Sequence, residues 1–341
     1  MSASHQDIAL HRRRYTGESV QQARRAIDSL ERGTAPIPVA ASPAQQDLEA
    51  RVLLGLLEFR NFYTRYPLGI ASVHPQPDGI ALQVESMERA AEILFNLLPT
   101  YVSEDEVHGV PGLRITRRGR TAIELSVLCE ASRVRLTGLP ARLWRDAVTR
   151  MLAEWTDPDD LLLRWRASPK AWTDAEQRHR VRWDDPADHF THLQRQGLWL
   201  GSGLLRRAAL LHTMSNTFFV DGYRGATSGK MRLVLRSSHV RAQGPGPHHI
   251  VAALTDPTFG LPLRLTRFRG DTDEHYARHQ QFVLGDLGQM AVLDLQCETD
   301  RPPSGLKPEL WQSILRRLPA AGVTRSLSPG VLAGLCGPGA A

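Results

Sequence analysis

The sequence has 341 residues, of which 42% are hydrophobic, 23% charged and 6% aromatic; this suffices for two core-sized units and excludes a fibre or a wholly disordered chain. Its formal net charge is +6, and of 42 basic residues only Lys170, Lys230 and Lys307 are lysine. GC-rich coding produces such an arginine excess as readily as function does, while guanidinium groups suit phosphate or carboxylate partners.

Residues 1–14 read as a loose basic arm ending in Arg12-Arg13-Arg14. The spacing of Val20, Ala23, Ile27 and Leu30 predicts an amphipathic helix from Ser19 to Arg32, stopped at Gly33. A Pro/Ala-rich linker covers Thr34 to Ser42. Ser42-Pro43 then caps and opens a second helix that sends Leu48, Val52, Leu56 and Phe59 to a core. From Gly69 the period changes to two. Strands are expected at Ile70–Val73 and Ile80–Val84, joined by the turn Pro75-Gln-Pro-Asp-Gly79. Ser86 caps a helix with Ala90, Ala91, Leu94 and Leu97 inward. Strands Leu113–Arg117, Thr121–Leu128 and Val134–Leu136 follow, then a helix from Pro140 to Trp155 and a strand at Leu161–Trp165.

Ser168 to Gly201 is polar and weakly periodic, as in a linker or an exposed connection. An apolar helix through Leu204, Leu205, Ala208 and Leu211 comes next. Strands are expected at Met231–Leu235, Leu263–Phe268, Phe282–Leu284 and Met290–Leu295, with helices at His249–Leu254 and Pro308–Leu318. The class predicted is α+β: an N-terminal helical segment, then two halves that each resemble a ferredoxin-like strand and helix order. The expected divisions are 1–66 (arm, helix, linker and second helix), 67–167 (first α+β unit), 168–201 (polar connection), 202–333 (second α+β unit) and 334–341 (frayed tail).

The halves echo one another. Leu113-Arg-Ile-Thr-Arg117 recurs as Leu263-Arg-Leu-Thr-Arg267, and Gly138-Leu-Pro-Ala-Arg-Leu-Trp144 as Gly305-Leu-Lys-Pro-Glu-Leu-Trp311. The order is kept while the spacing differs, as an insertion in the second half produces. This predicts an internal duplication, although an Arg- and Leu-rich chain also yields such echoes by chance.

No run approaches the roughly 20 apolar residues of a membrane span, and the start lacks the apolar stretch of a signal peptide. The best apolar run, Leu204–Leu211, is broken by Arg206 and Arg207. Cys129, Cys297 and Cys336 form no C-x-x-C pair and no disulfide framework. A cytoplasmic protein with no membrane partner is expected.

Between Arg114 and Arg150 stand nine arginines against Glu124, Glu130 and Asp146. Strand alternation puts Arg114, Thr116 and Arg118 on one face, joined by Arg133 and Arg135. In the second half Arg232, Arg236 and Arg264 alternate with apolar neighbours. These seven arginines are the candidate polyanion-binding residues. Only Phe268 could stack a base, so any nucleic-acid binding would run through the backbone. The competing reading is a solvated face that pairs with the acidic runs Glu104–Glu106 and Asp157–Asp160.

No cofactor is predicted, but a divalent metal has a candidate site. Asp271, His275 and His279 would bring two imidazoles and a carboxylate together on a helix. Asp184–His192 is a second acidic, histidine-bearing stretch without a common ligand spacing. Gly201-Ser-Gly203 before a helix could hold an anion on backbone N–H groups, though a plain helix start reads better. No G-x-S-x-G, Walker or G-x-G-x-x-G pattern occurs.

Tyr15-Thr-Gly-Glu18, Gln21-Gln-Ala-Arg-Arg-Ala-Ile27, Glu106-Val-His-Gly-Val-Pro-Gly-Leu113 and Ala253-Leu-Thr-Asp-Pro257 with Gly260-Leu-Pro262 resemble uncharacterised cytoplasmic proteins of GC-rich actinobacteria. The resemblance implies a bacterial cytoplasmic origin and assigns no role to these motifs.

The function expected is therefore a non-enzymatic binding or adaptor protein. Arg-rich sheet faces would engage a nucleic-acid backbone or an acidic protein, and residues 12–32 would dock a second protein. The rival classes are a metal-assisted hydrolase or transferase with its site between the halves, and a structural subunit of a larger assembly.

Overall fold

The structure, a computed structural model, describes residues 5–31, 33–57, 66, 68–103, 106–154, 162–178, 197–213, 217–224, 230–237, 247–270, 279–286 and 291–299. The class is α+β, with helices leading and two five-stranded mixed sheets following. No helix among the described residues is long and apolar enough to cross a membrane.

Three helices come first: α1 (His5–Thr16), α2 (Val20–Asp28) and α3 (Pro43–Leu57). The expected loose arm is thus the helix α1, with Arg12, Tyr15 and Thr16 buried. Gly17 turns the chain with φ of 73°, and only glycine fits there, since a Cβ would lie 2.7 Å from the Ala71 carbonyl oxygen. Ser19 caps α2 in a full capping box: its hydroxyl accepts from the Gln22 amide, and the Gln22 side chain accepts from the Ser19 amide. Ser42 accepts from the Gln45 amide and opens α3, as expected from Ser42-Pro43.

The first sheet comprises β1 (Ile70–Gln76), β2 (Gly79–Val84), β5 (Leu113–Arg118), β6 (Ala122–Val127) and β7 (Arg133–Thr137), in the order β1-β2-β7-β6-β5. Pro77-Asp78 closes the β1/β2 hairpin, with Gln76 opposite Gly79. Helix α4 (Met87–Leu97), capped by Ser86, carries the chain from β2 to the meander β5-β6-β7. Strand β7 returns parallel to β2, and all other pairs are antiparallel. Helix α5 (Ala141–Glu154) follows and buries Trp144, Ala147 and Met151, spaced three and four apart on one face.

Two features between α4 and the second half were not expected. A short hairpin, β3 (Thr100–Ser103) and β4 (Glu106–His108), precedes β5. The strand expected at 161–165 is reduced to β8 (Leu162–Leu163), which joins β3 and β4 in a separate three-stranded sheet rather than the main one. A one-turn helix, α6 (Arg164–Ala167), follows.

The second half opens with α7 (Leu198–Leu205) and the short α8 (Leu210–Thr213). Its sheet has β9 (Thr217–Arg224), β10 (Lys230–Ser237), β11 (Arg264–Gly270), β12 (His279–Gly285) and β13 (Val292–Thr299), in the order β11-β12-β13-β10-β9. Helix α9 (Pro247–Leu254) lies between the β9/β10 hairpin and the meander β11-β12-β13, and β13 returns parallel to β10. The helix expected at 308–318 and the tail 334–341 lie outside the described residues.

Both sheets therefore have one plan: leading helix, hairpin, helix and three-stranded meander, with the last strand parallel to the second. The correspondence extends to single residues. A β-bulge falls between Ile115 and Arg117 in β5 and between Leu265 and Arg267 in β11. The extra residue is a threonine each time. The Thr116 hydroxyl donates to the Glu124 carbonyl at 3.4 Å, and the Thr266 hydroxyl donates to the Val283 carbonyl at 3.0 Å. Glu124 lies opposite Arg117 and Val283 opposite Arg267, so the two bonds occupy the same register. The repeated Leu-Arg-x-Thr-Arg is this shared bulge. The echoed words thus fall at equivalent places in two sheets of the same strand order, each with a parallel closure and a bulge.

The leading helices of the two units, α3 and α7, pack against each other. Gly201 permits the approach: a Cβ there would sit 2.8 Å from the Ala50 Cβ. One continuous hydrophobic core runs from Leu48, Val52 and Leu82 through Leu200 and Leu204 to Leu233, Leu284 and Leu293.

Candidate functional site

The outer face of the first sheet is built by cross-strand pairing. Ala81, Arg135, Glu124 and Arg117 form one row over β2, β7, β6 and β5. Arg117, Arg118, Arg120 and Arg135 are exposed, while Val134 and Leu136 point into the core. Arg133 is exposed beside them and pairs with Asp78 of the β1/β2 turn. The β5 bulge changes the alternation read from the sequence. It is Arg117 that stands opposite Glu124, and Arg118 lies opposite Ile123 at the strand end.

Arg114 does not belong to this face. It is only 2% exposed, and all five of its N–H groups are used internally. Its Nε donates to the Ser168 carbonyl, while NH1 donates to the Leu113 carbonyl and to Glu176 at 2.9 Å. NH2 donates to the Ala171 carbonyl and to the second Glu176 oxygen, also at 2.9 Å. Glu176 in turn accepts from the Gly112 and Thr173 amides and the Thr173 hydroxyl. Burial works to raise the Glu176 pKa, but these donors outweigh it and hold the carboxyl below its usual range. Trp172 packs over Gly112, where a Cβ would come within 2.4 Å of the indole ring. Thus 168–178, expected as part of a polar connection, is a strap fastened to the start of β5.

In the second sheet Arg232 pairs with Asp294 at 2.8 Å, and Gln281 donates to the other Asp294 oxygen at 2.7 Å. Arg264, Arg267 and Arg269 of β11 are exposed. Arg236 stands in β10 opposite Phe219 and Glu298, and its side chain lies outside the description. Phe268 is half-buried with its ring 4.9 Å from that of Phe282, so it is no free platform for a base.

Asp271 and His275 lie outside the described residues, as does the stretch 184–192; His279 opens β12, with its side chain outside the description. Among the described residues no group of three His, Cys, Asp or Glu is placed to hold a metal ion. Gly201-Ser-Gly203 is not a helix start. It lies inside α7, fully buried, with the Ser202 hydroxyl donating to Glu49 at 2.6 Å.

Sequence reasoning missed the buried arginines. Arg206 donates through Nε and NH2 to the two oxygens of Glu49, at 2.7 and 2.6 Å, and through NH1 to the Pro38 and Gln76 carbonyls. Arg12 holds Glu18 in the same two-pronged manner and also donates to the Pro36 carbonyl. The Pro/Ala linker is therefore pinned by two arginines, with Ile37 and Ala40 in the core. Glu18 additionally accepts from Thr16 and meets His74 at 3.0 Å. Burial would raise its pKa, but the His74 and Arg12 hydrogen bonds prevail and hold it at about 2. Among the described residues Arg207 donates to two carbonyls, Phe259 at 2.6 Å and Gly203 at 3.0 Å, and burial lowers its pKa to about 10. The one signal available was Arg206-Arg207 inside an apolar helical run, a place where charge persists only with partners.

The docking segment expected at 12–32 is thereby reduced. Tyr15 donates to the Ala253 carbonyl at 3.2 Å and stacks on Phe259, fixing α1 against the second unit. The exposed remainder includes Arg13 and Arg14 on α1 and Arg24 and Arg25 on α2. Comparison with protein families, curated proteins and solved structures returns no match to this chain.

Proposed function

We propose that the chain is a non-enzymatic, cytoplasmic binding or adaptor protein that engages an acidic partner through the arginine-bearing outer faces of its sheets. The observation that carries this reading is the group Arg117, Arg118, Arg120 and Arg135: four exposed guanidinium groups that form no ion pair among the described residues. An exposed guanidinium keeps its five donors for a ligand's oxygens, and four in one region attract a polyanion before contact. Among the described residues the arginine-bearing face of the first sheet carries no exposed aromatic, which favours a partner recognised there by charge rather than by stacked bases.

A second role for the same charges is protection of an edge. Strands β5 and β11 are the outer strands of their sheets, and charged side chains discourage pairing with another chain. The two roles differ in salt dependence. Binding of a labelled mixed-sequence DNA or RNA duplex, followed from low salt upward, is expected to weaken with a logarithmic slope of about −3 to −4 for four phosphate contacts. Arg117→Ala with Arg135→Ala is expected to reduce that slope by about 2 without altering the circular dichroism spectrum. No binding at the lowest salt sinks the nucleic-acid form of the proposal. Unaltered binding by the double variant removes the first sheet face from it.

A further inference from the structure

The two sheets share one plan, and among the described residues only the first has a carboxylate on the arginine of Leu-Arg-x-Thr-Arg. Arg114 and Arg264 are equivalent: each is the second residue of Leu-Arg-x-Thr-Arg, on the edge strand, two positions before the bulged threonine. The leucines before them, Leu113 and Leu263, are both buried. Arg114 is covered by the strap 168–178 and paired with Glu176, whereas Arg264 is exposed and forms no ion pair among the described residues. The strap follows the last helix of its unit.

We propose that the start of β11 is a docking site for an acidic segment of a partner protein, whose carboxylate takes at Arg264 the place that Glu176 takes at Arg114. The chemistry of the occupant follows from the filled copy. Thr173 and Glu176 form a capping box, in which the Glu176 amide donates to the Thr173 hydroxyl while Glu176 receives the Thr173 amide, so the carboxylate is presented from the first turn of a helix. Arg267 and Arg269, exposed further along β11, extend the positive edge toward the rest of an acidic peptide. The seat is not an exact copy. Pro262 stands where Gly112 stands, so the amide that donates to Glu176 has no counterpart, and the side-chain-free backbone over which Trp172 packs is absent. The partner segment accordingly has a small residue where the strap has tryptophan. For its ligand class the site rests on the acidic-partner reading, but it lies on an edge and needs none of the first sheet's arginines.

The test uses the full chain and a labelled peptide of its own residues 168–178 carrying Trp172→Ala, titrated by fluorescence anisotropy. Saturable binding is expected with Kd below about 1 mM, weakened about tenfold or more by Glu176→Gln in the peptide and by Arg264→Ala in the protein. Arg117→Ala with Arg135→Ala is expected to leave peptide binding unchanged, which separates this site from the sheet face. Absence of saturable binding, or equal binding by the Arg264→Ala protein, overturns the proposal. Loss of duplex binding, but not of peptide binding, in Arg264→Ala assigns that arginine to nucleic acid and overturns it equally. Peptide binding that survives a failure of the duplex experiment upholds the edge site and rejects the sheet-face reading alone.

Discussion

At the scale of single residues, arginine divides into two populations with opposite meanings. Arg12, Arg114, Arg206 and Arg207 are buried structural cations, whereas Arg117, Arg118, Arg120, Arg135 and Arg264 are exposed donors. Net charge cannot separate them, because a guanidinium surrounded by carbonyls and a carboxylate counts as one in solvent does. The buried pairs carry a measurable pH signature. Glu18 has its pKa lowered from 4.5 to about 2, so its charged form is favoured by folding. Its contribution is complete above pH 4.5 and is lost as pH falls through about 2, an amount on the order of 3 kcal/mol at about 1.4 kcal/mol per pKa unit. Glu18→Gln is expected to lower stability at pH 7 by an amount of that order and to flatten its decline in acid. Urea unfolding at a series of pH values checks both. A variant that matches the parent at neutral pH would show that Arg12 and His74 do not depend on this charge.

At the scale of elements, what was legible followed from local chemistry. Ser19, Ser42 and Ser86 marked helix starts, and alternation marked β2, β6, β7 and β10. The echo of Leu-Arg-x-Thr-Arg marked two equivalent strands, but its physical content, a bulge, shifted Arg117 into the row where alternation had put Arg118. Three things were illegible because they depend on distant residues. Arg114 reads as a surface arginine until Glu176 arrives from 62 positions away. The Pro/Ala stretch reads as a linker until Arg206 reaches Pro38, and α1 reads as an arm until Tyr15 meets Ala253. Charged and Pro-rich segments look solvated in sequence, and only tertiary pairing reverses that reading. The α3–α7 contact gives the element-scale prediction. Gly201→Ala adds helix propensity worth about 1 kcal/mol, yet it places a Cβ 2.8 Å from the Ala50 Cβ and 3.0 Å from its Cα. Because these neighbours are the Cβ and Cα of a helical alanine, which cannot move without the helix, overpacking wins, and a net loss of about 1–3 kcal/mol is expected in denaturant unfolding. Ala50→Gly in the same chain relieves the Cβ contact and is expected to restore part of the loss. A stabilised single variant would show that the helices can separate without cost.

At the scale of the whole molecule, a shared plan and cooperativity need to be held apart. Two units of the same plan could unfold independently, as neighbouring domains often do. Here the leading helices face each other across Gly201 and Ala50, and Glu49 of the first unit is joined to Ser202 and Arg206 of the second. Tyr15 links α1 to Ala253, and the core is one cluster through both sheets. Separating the units would break the Glu49–Arg206 pair and expose to water the apolar surface that α3 and α7 and the shared core now bury. A partly folded state with one unit intact is therefore disfavoured relative to both the native and the unfolded chain. Thermal unfolding is expected as a single transition in which the calorimetric and van't Hoff enthalpies agree, with far- and near-ultraviolet circular dichroism changing together. Arg206→Met is expected to do more than lower that midpoint, because it cuts the charged link between the units, together with the hydrogen bonds to the Pro38 and Gln76 carbonyls. In that variant the van't Hoff enthalpy should fall below the calorimetric value as the two halves begin to separate. Two transitions in the parent chain would show that the units are independent despite their shared core, whereas a variant that keeps equal enthalpies would place the coupling in apolar packing rather than in the Glu49–Arg206 pair.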